Sequence, residues 1–233
     1  MKILDIRYIA IRFITLTLAT VFLAGCTQTY QDIYSTANEL AFGFNDANQS
    51  AQEILDLPYA SANIRIGDGA ELFVVLALVE PSSQHTDQNQ LKWVSSDSSM
   101  LVTENGRLVK TLRLPIDNLA GLTHQNGADP LSLLGEKPQQ QTWQTVYDWQ
   151  PGYRYNFDAT IDWYFVEQQT IQSAVWTKKT NYYQEVVYIP SLDASFTNHF
   201  WLDAVSHQVV KSIQVIGPDM FSIDMTILKP YAG

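Results

Sequence analysis

The chain of 233 residues carries 14 Lys and Arg against 24 Asp and Glu, a formal charge of −10, and is 46% hydrophobic with 16% charged residues. That hydrophobic content excludes intrinsic disorder, and 11 Gly with 9 Pro excludes a collagen-like chain. The acidic balance makes nucleic acid a poor partner, since phosphates are met by Lys and Arg, and a single Cys excludes an internal disulfide.

Lys2, Arg7 and Arg12 precede an apolar run from Phe13 to Leu23, broken only by threonines, and Ala24-Gly25-Cys26 follows. A basic start, an apolar middle and small residues before a cut site predict a secretory signal over residues 1–25. The run is too short to cross a hydrocarbon core of about 30 Å as a helix. A short buried helix would explain neither the flanking charges nor the small residues before Cys26. Leu23-Ala24-Gly25-Cys26 resembles the lipobox of bacterial lipoproteins. The resemblance implies cleavage before Cys26, acylation of its thiol and attachment to the membrane through the acyl chains. Two or more chains hold stably where one binds only marginally. Thr27 stands where an Asp would resemble an inner-membrane retention signal, which implies export to the outer membrane. Loss of residues 1–25 leaves 208 residues with net charge −12. That length buries a sizeable core, and that charge disfavours lying on anionic lipid.

Thr29 and Asp32 read as a capping box, and Tyr30, Ile33, Tyr34, Ala37, Leu40, Ala41 and Phe44 recur at helical spacing. Ser50 and Glu53 form a second capping box for a short helix ending at Asp56, with Pro58 as the stop. The helical segment is thus expected over residues 30–56, on a tether of four residues from Cys26 that spans at most about 14 Å. From Ala62 the period becomes two. Strands are expected at 63–66 and 71–79 about the Gly67-Asp68-Gly69 turn, the second covered on both faces. Runs 91–95, 100–104 and 107–114 follow, the last two joined by Asn105-Gly106, the strongest hairpin signal in the chain. Residues 115–142, rich in Gly, Pro and Gln, read as one long loop with a helical turn near Leu131. Tyr153, Tyr155, Phe157, Ala159, Ile161, Trp163 and Phe165 alternate with polar residues and predict a long strand with an aromatic inner face. Further runs are expected at 171–178, 184–189, 195–202, 209–216 and 221–227, the tight connection at 203–207 leading into the fourth. With short connections and no helix between strands, the fold class is mainly β: an antiparallel meander forming a curved sheet, sandwich or barrel-like body after one or two N-terminal helices. Residues 26–233 read as a single domain.

No nucleophile elbow, zinc-protease motif, phosphate loop or dinucleotide fingerprint is present. The four histidines stand at 85, 124, 199 and 207, without a second ligand at metal spacing. Asp158 and Asp162 share a strand face but stand about 13 Å apart, beyond the roughly 5–9.5 Å of glycosidase pairs. No catalytic residue, metal or cofactor is therefore expected. Of the six tryptophans, Trp143 and Trp149 flank the long loop and are the better candidates for exposure and for stacking on a sugar or lining a groove, against core packing for Trp163 and Trp201.

Several segments taken in order resemble the YjbF/GfcB family of outer-membrane lipoproteins: Leu57-Pro58-Tyr59-Ala60-Ser61, Arg65-Ile66-Gly67-Asp68-Gly69, Leu91-Lys92-Trp93, the stretch from Asn105 to Thr111, Asp148-Trp149-Gln150-Pro151-Gly152, the stretch from Asn198 to Asp203, and Leu228-Lys229-Pro230-Tyr231. They cover nearly the whole mature chain. The resemblance implies a non-catalytic accessory role in capsule or exopolysaccharide assembly or export, with an outer-membrane β-barrel export protein and the polysaccharide as partners and a periplasm-facing position. It supplies no catalytic residues. A glycan- or lipid-binding carrier module of the envelope is the competing reading, similar at fold level only to lipoprotein carriers. A hydrolase ranks last. A filled core with one exposed apolar patch would favour the accessory role, a continuous apolar pocket the carrier, and a polar cleft with paired carboxylates the hydrolase.

Overall fold

A computed structural model describes residues 49–232, apart from 83, 85–87, 134 and 136. The signal, the lipobox with Cys26 and the helix expected over 30–44 lie outside the described residues. Helix α1, Ala51–Asp56, stands where Ser50 and Glu53 predict it. The Ser50 hydroxyl accepts from the Glu53 N–H, the Glu53 carboxylate accepts from the Ser50 N–H at 2.8 Å, and Leu57 leaves the helix extended before Pro58. Ser50→Ala is expected to lower stability by about 1 kcal/mol, read from the midpoint of urea unfolding. An unchanged midpoint would mean that α1 contributes nothing to the folded body.

Twelve strands follow: β1 (Ser61–Ile66), β2 (Glu71–Pro81), β3 (Asn89–Ser95), β4 (Met100–Glu104), β5 (Arg107–Leu112), β6 (Asn118–Asn126), β7 (Gln140–Gln150), β8 (Arg154–Gln172), β9 (Thr177–Ile189), β10 (Ala194–Asp203), β11 (Val209–Val215) and β12 (Ser222–Lys229). They form one antiparallel sheet in the order β5-β4-β3-β2-β1-β12-β11-β10-β9-β8-β7-β6. Every ladder joins consecutive strands except β1 with β12, which sets Ser61 beside Lys229. The sheet curls into a nearly closed barrel. Helix α1 sits at the rim where β1 begins and β12 ends, and Lys229 Nζ donates to the Leu55 and Leu57 carbonyls there.

The seam lies between β5 and β6. The Leu119 N–H donates to Thr111 Oγ1 across it. Elsewhere two carboxamides stand in for a neighbouring strand. Gln214 of β11 accepts from the Leu108 N–H and donates to the Gly106 carbonyl, and Gln84 accepts from the His124 N–H and donates to the Leu122 carbonyl. Each side chain offers an edge strand one acceptor and one donor, so these backbone groups of the edges are satisfied.

The β4–β5 hairpin fills the interior. All five residues of β4 are buried. Its turn has Asn105 at φ 49° and Gly106 at φ 88°, as a type I′ turn requires. A Cβ on Gly106 would stand 2.4 Å from the Val209 Cβ, so the turn presses directly on β11. The main core gathers Ile64, Val74, Trp93, Leu101, Trp149 and Ile161 with their neighbours, and a second cluster holds Leu131, Trp163, Tyr183, Phe200 and Leu202.

Three expectations need correction. The loop expected over 115–142 contains β6, which hides because a register shift at Leu119/Gly121 breaks the two-residue period while Leu119 and Leu122 remain buried. The strand expected over 171–178 is a hairpin tip. β8 runs on to Gln172, the chain turns at 173–176, and β9 starts at Thr177, because the polar residues of both strands pair with each other beyond the barrel wall. Trp176 at that tip returns to the sheet, its Nε1 donating to the Ile227 carbonyl at 2.8 Å. Coverage of β2 on both faces is limited to the middle, where Val74 and Val75 are buried and the rest is mostly half-buried.

Candidate functional site

The interior of the barrel holds an ion cluster. Arg107, at the start of β5, donates through Nη1 and Nη2 to Glu185 of β9 at 2.9 and 2.5 Å and through Nε and Nη2 to Asp129 at 2.6 and 2.9 Å. The side chain of Glu185 has no exposed surface and that of Arg107 is 3% exposed. The guanidinium also lies 4.7 Å from the Trp143 ring centre and 5.3 Å from that of Phe200. Burial opposes its charge, but the two carboxylates outweigh burial and hold it protonated. Burial first, then the Glu185 charge, pushes the nearby Tyr147 phenol well up. Both carboxylates are engaged bidentately by one cation. The cluster is thus a cross-link from β5 to β9 and to the β6–β7 connection. Asp129 caps the Leu131 N–H at 2.9 Å, which seats Leu131 in the second aromatic cluster.

Beside the cluster, at the α1 rim, lies a cavity of about 400 Å³. Its floor is Leu91, Trp93 and Thr103, the Trp93 Nε1 donating to Thr103 Oγ1 at 2.9 Å. The walls come from the β4–β5 turn, the β6–β7 connection, the β10–β11 connection and the segment after β12. Asp203 fixes one wall by accepting from Lys178 Nζ at 2.7 Å and from the Val205 and Ser206 N–H groups. Burial raises the Asp203 carboxyl, but these donors outweigh it and bring it down to about 2. At the opposite rim the surface is apolar and exposed: Ile116 is 71% exposed, Tyr155 48%, and Tyr153 wholly so. Among the described residues no three His, Cys, Asp or Glu side chains gather as a metal site, and no helix is long and apolar enough to cross a membrane.

The family model described as "Group 4 capsule polysaccharide lipoprotein gfcB, YjbF" matches residues 34–228. The chain belongs to the YjbF family. It is 33% identical over 221 residues to the uncharacterized lipoprotein GfcB of Escherichia coli K12, covering 94% of this chain and 99% of that protein. Similarity to the uncharacterized lipoprotein YjbF of the same organism is 29% over 214 residues, covering 92% and 96%. The crystal structure of the hypothetical lipoprotein YmcC from E. coli K12 superposes with a TM-score of 0.72 at 30% identity, covering 86% of this chain and 96% of that one. The matched region takes in all twelve strands except the last residue of β12, so the barrel is the family's domain.

Within this YjbF-family barrel, Trp143 and Trp149 are not exposed. They are 2% and 1% accessible, because both occupy inward positions of β7. Trp143 lies over Arg107, and Trp149 Nε1 donates to the Ile216 carbonyl at 2.5 Å. The outward aromatics pack on one another. Trp201 has Tyr182 at 4.9 Å, and Lys211 Nζ lies 5.6 Å from its ring centre. Asp158 and Asp162 bond Gln125 and Thr142 on the outer face. Sequence reading passed over Arg107, Asp129 and Glu185, which are 22 and 78 residues apart in the chain. One signal was present: Glu185 falls on the same strand parity as Tyr183, Val187 and Ile189, all buried.

Proposed function

We propose that the chain is a non-catalytic accessory in the assembly or export of a surface polysaccharide. In this reading residues 1–25 are a cleaved signal, and acyl chains on Cys26 hold the protein at the outer membrane, facing the periplasm. An outer-membrane β-barrel export protein is its expected partner. The observation that carries the reading is the filled interior. Where a hydrolase would present an open acid pair, Glu185 and Asp129 both grip one guanidinium, and the β4–β5 hairpin occupies the space. Family membership over residues 34–228 supplies the polysaccharide association, and the exposed Ile116, Tyr153 and Tyr155 supply an apolar surface for a partner. The cavity at the α1 rim favours the carrier reading as second choice.

A deletion strain should lose or mislocalise its extracellular polymer, and a Cys26→Ser form should leave the membrane fraction and fail to restore it. Glycan cleavage by the purified protein, abolished by one Asp or Glu substitution that leaves the fold intact, would overturn the accessory reading. Full restoration by the Cys26→Ser form would remove membrane placement from the mechanism.

A further inference from the structure

We infer that the cavity at the α1 rim binds a neutral oligosaccharide segment, a reading that rests on the polysaccharide role proposed above. Its volume of about 400 Å³ lies in the range of small-ligand sites. In an acidic chain, its described lining contains no carboxylate. The one ammonium there, on Lys137, already donates to the Leu131 and Leu133 carbonyls. Among the described residues the wall therefore presents no carboxylate, and two donors of its one ammonium are engaged by backbone carbonyls.

What it does offer is carboxamides. Gln88 with Asn89 at the start of β3, Asn105 of the β4–β5 turn and Gln208 of the β10–β11 connection line one opening. Asn105 Nδ2 donates to Gln88 Oε1 at 2.9 Å, while the side chains of Asn89 and Gln208 have no hydrogen-bond partner among the described residues. A carboxamide donates and accepts at once, as a sugar hydroxyl does, so adjacent hydroxyls find matched partners. Leu91, Ile227 and Tyr231 give an apolar surface for the C–H face of a ring. An acyl chain in the same place would strip water from these amides and return no hydrogen bond.

The test uses the full chain in lipid nanodiscs and saturation-transfer NMR with three probes: a mixture of neutral trisaccharides (maltotriose, cellotriose and laminaritriose), trigalacturonic acid, and lauric acid. Transfer to ring protons of a neutral trisaccharide is expected, with affinity about tenfold weaker in an Asn89→Ala/Gln208→Ala variant, the loss of two hydrogen bonds. Both residues lie on the exposed rim, so the variant should unfold at the same urea midpoint. No transfer to any neutral sugar, transfer undiminished by the double variant, or a response to trigalacturonic or lauric acid alone would each overturn the assignment. A polymer defect in the deletion strain without sugar binding would leave the accessory role and remove this site. Sugar binding with normal polymer in that strain would do the reverse.

Discussion

Arg107→Met is expected to destabilise the protein by about 3–5 kcal/mol, the range found when one partner of a buried ion pair is removed. The loss has two sources. Glu185 is fully enclosed and would keep, among the described residues, only Asn198 Nδ2 at 3.5 Å, and Asp129 would lose the bidentate contact that holds the β6–β7 connection. Sign fixes the pH dependence. In the variant a buried, unpaired carboxyl binds its proton more tightly folded than unfolded, so acid favours its folded state and the deficit grows as pH rises. Urea unfolding at pH 5 and pH 7, followed by tryptophan emission, should show a smaller deficit at pH 5. Adding Glu185→Gln should recover part of it at pH 7. A deficit below about 1 kcal/mol at pH 7 would mean that the cluster is not the cross-link described.

Gly106→Val should cost about 2–6 kcal/mol, combining about 1–3 for a side chain at positive φ and about 1–3 for overpacking. The backbone part follows from φ 88°, and the packing part from the Val209 Cβ at 2.4 Å. The two are separable. Val209→Gly in the Gly106→Ala background should remove only the second, so the double variant should be more stable than Gly106→Ala corrected for Val209→Gly alone. Strict additivity would show that the β4–β5 turn does not press on β11.

Legibility in the sequence followed the range of the interaction. The Ser50–Glu53 box and the Asn105-Gly106 turn are complete within a few residues, and both read correctly. Alternation marked β8 because its inward side is continuous from Phe157 to Phe165, whereas Tyr153 and Tyr155, expected on the same inner face, are exposed. It failed for β6, where the shift near Gly121 puts two residues against one, and at 173–176, where apolar residues make a turn instead of a strand. Trp143 and Trp149 misled because exposure was judged from the neighbouring loop, whereas their depth is set by the inward face of β7 in the nearly closed barrel. The Arg107–Asp129–Glu185 cluster depends on which strands the rolled sheet brings face to face, and no local pattern encodes that.

The position of the seam also bears on how the chain reaches this state. All but one of the ladders join neighbours in sequence, so each hairpin can close across a short stretch with a small loss of chain entropy. The exception, β1 with β12, must bring Ser61 to Lys229. That contact spans nearly the whole described chain and is the costliest to make before the others exist. The assembly order this favours is a growing ribbon from each half, with the two ends of the domain zipped together last. The gap that stays unladdered, between β5 and β6, falls at a connection of only five residues, 113–117. There covalent continuity already holds the strands side by side, and a ladder would add least.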